Sequence, residues 1–417
     1  MALWEVVGGA DKGRGGIIVR SGAGFDTSAL SERLANGALV QEIELRGERL
    51  HYRLLEGDGP SEGWVSVSIK GKVLLNKRPS LGASAVSKST LPADLHELSS
   101  DQQDSAEEED VAEGDLGPCD DGNVVVDEVL KGQFMERVHD SQQFDQRVMA
   151  CRASDIIEGL PLPPKLRLIC LHPEACSSTA FLGPNSPLAS WAERTVSEVL
   201  ALILPGRARL LTASRPTSLQ AVASELLSTI WNVVSDGAPY VVWGHGLGAW
   251  VGFEMLALAR KVGLPAPRAA VFASFPAPHL PRRERPWPKT KRMNDDLFRK
   301  EIEKWDEEHF KEAARGALYG QMWKDGLSKI FRDDFHLLEE YRFSHAGEKR
   351  FDFPIHGCHM EKGGRIKEEH VAAWSCWTSP GNFHLHSLDG MGHMTSLFKP
   401  DLRELYFERV IAALEQN

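Results

Sequence analysis

The chain has 417 residues, 42% of them hydrophobic and 26% charged, a composition for globular folding and a length for two domains with a linker. The most apolar stretch, Val199–Leu204, is stopped by Pro205, far short of the ~20 residues a membrane helix needs. Ten acids between Asp101 and Asp121, with no Lys or Arg among them, carry nearly all of the net charge of −11 and leave −1 for the remainder. Electrostatics therefore gives nucleic-acid binding no support.

The N-terminus, "MALWEVVGG", has no basic region followed by an apolar core, so no secretory leader is expected. The six cysteines, Cys119, Cys151, Cys170, Cys176, Cys358 and Cys376, have the spacing of neither a disulfide framework nor a zinc site. The expectation is an intracellular, cytoplasmic protein, with an organellar address left open.

Residues 1–78 read as a small β domain: "WEVV", "GGIIVR", "ALVQEIEL", "LHYRLL", "GWVSVSI" and "KVLL" alternate with glycine turns. Period-two alternation places Leu39, Gln41, Ile43 and Leu45 on an inner face, opposite Val40, Glu42 and Glu44. A strand after Asn36–Gly37, a hairpin at Arg46–Gly47 and the run Gly63-Trp64-Val65-Ser66 resemble an SH3-like barrel. Tyr52 and Trp64 then belong either to its core or to an aromatic peptide groove. Residues 79–130 are an acidic linker, too poor in bulky apolar residues to fold. Residues 131–162 lead in to the next domain, with a short helix or two expected over 124–160.

From 163 to 417 strands alternate with helices, which predicts an α/β domain with a mostly parallel sheet covered on both faces. The strand candidates are "KLRLICL", "YVVWGH", "AAVFAS", "FDFPIHGC" and "FHLHSL", with "ARLLTA" as a short extension. "LASWAERTVSEVLALI", "TSLQAVASELLSTIWNVV", "LGAWVGFEMLALARKV" and Leu402–Leu414 are expected helices. Residues 294–343 read as consecutive helices, inserted as a lid over the strand ends. "YVVWGHGLGAW" has the strand, glycine turn and helix of a nucleophile elbow, whose motif is G-x-S-x-G. Here the five residues are Gly244-His245-Gly246-Leu247-Gly248, so the central position has no side chain.

Four stretches in order carry a family resemblance: "LPGR" with "TSLQAVASEL", the elbow, "FRDDFHLLEEYRF", and "MGHMTSLF". On these, residues 166–414 resemble the type II thioesterases, α/β-hydrolases that cleave acyl groups from carrier proteins of polyketide, fatty-acid and nonribosomal-peptide synthases. The resemblance implies two-step acyl transfer by a serine, a histidine and a carboxylate, with backbone N–H groups at the oxyanion. It implies no cofactor beyond the phosphopantetheine on which a carrier presents its substrate.

Carried over position by position, His393 is the base and Gly246 stands at the nucleophile. The family acid falls at Gly363 or Gly364, leaving Glu361 as the nearest carboxylate. Leu247 and Glu174 supply the oxyanion N–H groups, and the Glu174 carboxylate would repel a developing oxyanion unless it points away. Cys176 is an alternative nucleophile, and a His393-activated water is another. Arg282, Arg283, Arg285, Lys289, Lys291 and Arg292 form a possible docking patch for acidic carrier proteins, a plain basic loop, or a resting place for the acidic linker. His356, His359, His370, His384 and His386 are read as structural, with no metal. Three functions remain open: an atypical thioester hydrolase, a pseudo-thioesterase that binds acyl chains or carrier proteins, and a scaffold.

Overall fold

Five-residue apolar runs build the larger sheet. In the strand β11 (Arg167–Leu171), Ile169 and Leu171 enter one core while Leu168 and Cys170 enter another on the opposite face. A parallel strand covered on both faces has to be apolar at successive positions. The computed structural model describes residues 3–7, 16–24, 27–35, 38–56, 59–69, 72–78, 117–118, 124–138, 141–152 and 163–416. Most of the expected acidic linker lies outside them. The chain divides into two units, Met1–Ser105 and Ala106–Asn417.

The first unit is a seven-stranded antiparallel sheet. In chain order its strands are β1 (Leu3–Val6), β2 (Ile17–Arg20), β3 (Ala29–Leu34), β4 (Leu39–Arg46), β5 (Arg49–Glu56), β6 (Glu62–Ser66) and β9 (Leu75–Arg78), arranged β3-β2-β6-β5-β4-β1-β9. A two-stranded hairpin, β7 (Ser68–Ile69) with β8 (Lys72–Val73), intervenes. The predicted facing of β4 is reversed: Val40 is buried, whereas Ile43 and Leu45 are exposed. The alternation itself holds, but a period of two gives two faces and not which of them is covered. Tyr52 is fully buried and its hydroxyl donates to the Pro60 carbonyl at 3.0 Å, so it is core. Trp64 is buried too, stacked on His51 with ring centroids 4.8 Å apart.

The second unit holds seven strands in the order β10-β12-β11-β13-β14-β15-β16. These are β10 (Val148–Arg152), β11, β12 (Glu198–Leu202), β13 (Tyr240–His245), β14 (Ala269–Ala273), β15 (Ile355–Met360) and β16 (Phe383–Leu388). All neighbours are parallel except β10 with β12. β11 lies between β12 and β13, so the order reverses there. The crevice beyond the carboxyl ends of these strands is where an open α/β sheet binds its ligands.

Three expectations need correction in this unit. "VSEVLALI" is not helical: the helix Pro187–Thr195 stops at Val196, which takes φ 55°, and Glu198–Leu202 joins the sheet. A buried apolar run fits helix and strand alike, and only its partners decide. The lead-in segment likewise contributes the edge strand β10 as well as the helices Glu128–Met135 and Ser141–Arg147. "ARLLTA" gives one short 3₁₀ turn, Ala208–Leu210. The helices between β14 and β15 form as expected, from Asp295–Glu303 to Ser328–Glu340. Among the described residues no helix is long and apolar enough to cross a membrane.

The segment after the last inserted helix is fixed by a buried charge cluster. Glu254, on the helix Leu247–Lys261, accepts from the Tyr341 hydroxyl at 2.6 Å and meets His345 Nε2 at 3.0 Å. His345 Nδ1 meets Glu348 at 2.9 Å. Burial lowers the proton affinity of His345, but its bonds to Glu254 and Glu348 outweigh this and hold its pKa at about 9. A raised histidine stabilises the fold fully below its unfolded pKa of ~6.5 and loses that contribution as pH rises through its folded value. His345→Gln should therefore lower the melting temperature most at pH 5–6, by an amount equivalent to roughly 3 kcal/mol. The difference from wild type should shrink toward pH 10, as thermal melts across that range would show; a constant difference refutes the coupling.

Candidate functional site

The strand ends assemble the site. In register, Leu171 pairs with Gly244 and His245 with Ala273. The residues just beyond β11, β13 and β14 are thereby brought together: Glu174, Gly246 and Ser274. His393 comes from the loop after β16.

At the turn, Gly246 has φ 56° and ψ −130° and its N–H donates to the Ala273 carbonyl at 3.0 Å. Glycine suits this conformation, which costs an L-residue strain. A Cβ built on Gly246 would lie 2.7 Å from Glu174 Oε2, 2.9 Å from Pro173 Cβ and 3.0 Å from His393 Cε1. The space above the elbow is therefore occupied.

Glu174 fills it. This carboxylate, 2% exposed, points inward, so the condition for an unobstructed oxyanion site is not met. Oε1 accepts from the Leu247 N–H at 2.9 Å, and Oε2 stands 3.1 Å from His393 Nε2. Leu247 opens a 15-residue helix, whose N-terminus carries partial positive charge. A buried carboxylate is tolerable only with such donors. At this distance the carboxylate oxygen and the ring nitrogen share one proton between them.

The other nitrogen of His393 has an unforeseen partner. Nδ1 lies 2.8 Å from the hydroxyl of Ser274, a buried residue at φ 53°. Glu361 is elsewhere, accepting from the Gly390 N–H at 2.7 Å. The position of Ser274 directly after "AAVFA" was readable, but its hydroxyl did not match the carboxylate being sought.

Two more supports of His393 escaped the sequence reading. Asp306, from the inserted helices, accepts through Oδ2 from the N–H groups of Met394 (2.8 Å) and Thr395 (2.7 Å). His245 Nε2 donates to the His393 carbonyl at 2.7 Å, and its Nδ1 receives the Tyr406 hydroxyl at 3.2 Å. Burial, then the neighbouring His393, depress the His245 pKa well below the usual value, so this ring is neutral. Trp305 packs edge-on to His393, with ring centroids 5.3 Å apart.

The motifs "LPGR" and "FRDDFHLLEEYRF" meet in one ion pair. Arg207 grips Asp334 through two bonds, of 2.9 and 2.5 Å, with both residues buried. Asp334 also accepts the Ala175 N–H at 2.7 Å, which anchors the loop carrying Glu174 to the inserted helices.

Cys176 has no role in this arrangement, because Glu174 and Ser274 occupy the two nitrogens of His393. Burial and then Glu174 push its thiol far above the ordinary range, which suppresses the thiolate. Among the described residues no group of three or more His, Cys, Asp or Glu side chains is placed to hold a metal ion. His356 and His386 instead bond to each other at 3.0 Å.

The six basic residues of the loop differ in their surroundings. Arg282 donates to the Glu339 carbonyl, and Arg285 donates to the Tyr341 carbonyl and lies over the Trp250 ring. Arg283, Lys289, Lys291 and Arg292 are exposed.

A cleft of about 380 Å³ leads to the site, lined by Glu174, Ala175, Phe310, Leu318, Ile330 and Phe331, among others. Glu174 also borders an inner void of about 10 Å³ against Trp305 and His393.

An elbow at the end of a central parallel strand, a histidine loop after the last strand and inserted helices over both define an α/β-hydrolase fold. A family model described as "Thioesterase domain" matches residues 166–404, more than half of the chain, and the chain belongs to that family. No curated protein matches it. Among solved structures it is similar to RedJ, a thioesterase from the prodiginine biosynthetic pathway in Streptomyces coelicolor. That match has 23% identity and a TM-score of 0.48, over 60% of this chain and 90% of the other. It is also similar to BorB, the type II thioesterase of the borrelidin biosynthetic cluster, at 21% identity and a TM-score of 0.49, over 65% and 98%. A third is YbtT, a type II thioesterase from the yersiniabactin pathway, at 20% and 0.48, over 64% and 98%.

The steric argument at the elbow is testable. Gly246→Ser should destabilise the protein by about 1–3 kcal/mol, through φ strain and collision with Glu174. Glu174→Ala should recover part of that loss in the double variant. Denaturant unfolding of all four proteins measures the coupling, and additive effects would show that the two positions do not compete for space.

Proposed function

We propose that this protein takes acyl thioesters presented on carrier-protein phosphopantetheine as its ligands and acts on them without a serine nucleophile. The observation that carries the reading is the apolar cleft that ends at Glu174, beside His393 and the N-terminus of the elbow helix. Membership of the thioesterase family supports the thioester class, and the motif resemblance to type II enzymes supports presentation on a carrier. In this reading His393 handles protons, Gly246 marks the lost serine, and the exposed Arg283, Lys289, Lys291 and Arg292 face an acidic carrier. The N-terminal sheet is read as an SH3-like barrel, a module separate from the acyl site.

A second reading is binding without turnover. The Leu247 N–H favours it, because that donor is already engaged by Glu174 rather than open to a substrate oxygen. Removing the serine of a hydrolase triad costs on the order of 10⁶ in turnover, so serine chemistry contributes nothing in either reading.

Calorimetric titration with non-hydrolysable acyl-pantetheine analogues tests the ligand class. Affinity should rise about fourfold per added methylene until the cleft is full, as about 0.8 kcal/mol per buried CH₂ requires. Ala317→Trp, which fills the cleft, should weaken long chains at least about tenfold and leave short ones unchanged. Affinity that does not depend on chain length rules out the acyl cleft.

A further inference from the structure

We propose that Glu174 is itself the nucleophile, replacing the serine of the elbow from a different strand. The inference rests on the acyl-thioester reading above and extends it to a chemical step. Its basis is positional. Glu174 Oε2 lies 2.7 Å from the point a side-chain Cβ on Gly246 would occupy and 3.1 Å from His393 Nε2. It therefore holds the place of a hydroxyl poised against the catalytic-type histidine. Carboxylates serve as covalent nucleophiles in glycosyl and phosphoryl transfer, and a thioester carbonyl is an electrophile of the same use.

The first step starts from a Glu174 carboxylate and a His393 ring carrying a proton on each nitrogen. The Ser274 hydroxyl suits both states of the ring, accepting from Nδ1–H in the cation and in the neutral tautomer that follows. In the first step Oε2 attacks the thioester carbonyl carbon, the C–S bond breaks, and the thiolate takes the Nε2 proton of His393. The products are a free thiol, a mixed acyl–glutamyl anhydride and a neutral imidazole with Nε2 open. In the second step water attacks Cδ of Glu174 while Nε2 takes one of its protons. The Cδ–Oε2 bond breaks, and Oε2 departs with the acyl group as the acid product, which carries the second proton. The carboxylate and the imidazolium are regenerated, and no external oxidant or reductant is needed.

The direction of the second step follows from the geometry. Oε1 is the carbonyl oxygen of the glutamyl half of the anhydride, and the Leu247 N–H already points at it from 2.9 Å. That donor sits at a helix N-terminus, where backbone N–H groups stabilise developing negative charge. The contact that would obstruct serine chemistry polarises Cδ here. Gly246 is then required for a second reason, because any side chain at that position would displace Oε2. The void of about 10 Å³ between Trp305 and His393 is too small for a thioester group. Substrate entry therefore moves the inserted helices, which Asp306 couples to the histidine loop.

The test uses the full chain and octanoyl-pantetheine. A single turnover with enzyme in excess in ¹⁸O-water should place ¹⁸O in the Glu174 peptide and leave the octanoate unlabelled, read by mass spectrometry. Glu174→Gln should lose at least about 10³-fold in turnover and keep its affinity for the non-hydrolysable analogue, with an unchanged melt confirming the fold. Label in octanoate and none in Glu174 overturns the nucleophile while the hydrolase stands. Binding of the analogue by wild type without turnover also overturns it and leaves the binding reading intact. Neither binding nor turnover removes both.

Discussion

A buried carboxylate needs donors, and the site is organised around where Glu174 finds them. One oxygen takes the first N–H of the elbow helix and the other faces His393. Both contacts depend on a glycine at 246, since a Cβ there would lie inside the contact distance of the same carboxylate. Three residues from three chain segments thus specify one another. Removing His393 takes one partner from the buried carboxylate, and a side chain at 246 has no room beside it.

His393 is held from every direction. Ser274 meets its ring, His245 holds its carbonyl, Asp306 takes the two N–H groups that follow it, and Trp305 packs on its edge. Neutral His245 links this loop to Tyr406 on the C-terminal helix. Asp306 and Trp305 belong to the inserted helices, and so does Asp334, which binds Arg207 and the loop of Glu174. The inserted segment is therefore bonded to both halves of the site, so any displacement of it acts directly on their geometry.

The alternation of strands and helices, the elbow and the histidine loop were legible because each has a local signature: an apolar run, a glycine cluster, a turn. The motifs "LPGR" and "FRDDFHLLEEYRF" were visible separately, but their union in Arg207–Asp334 was not, since 127 residues separate them. Edge strand β10 and the strand hidden in "VSEVLALI" were missed because partners, not local pattern, make them strands. The inner face of β4 was read the wrong way round because alternation separates two faces without showing which of them packs on the core.

By itself the sequence determined the class of fold, the place of the elbow and the absence of a serine there. A glycine at 246 is a covalent fact, and no packing restores a hydroxyl. Only the tertiary structure decided which side chain stands beside that glycine and against His393. Where a side chain points depends on which donors surround it. The donors for Glu174 lie 73 and 219 residues away, brought to it by the crossing of parallel strands. The same crossing put a serine, rather than Glu361, against the far side of His393.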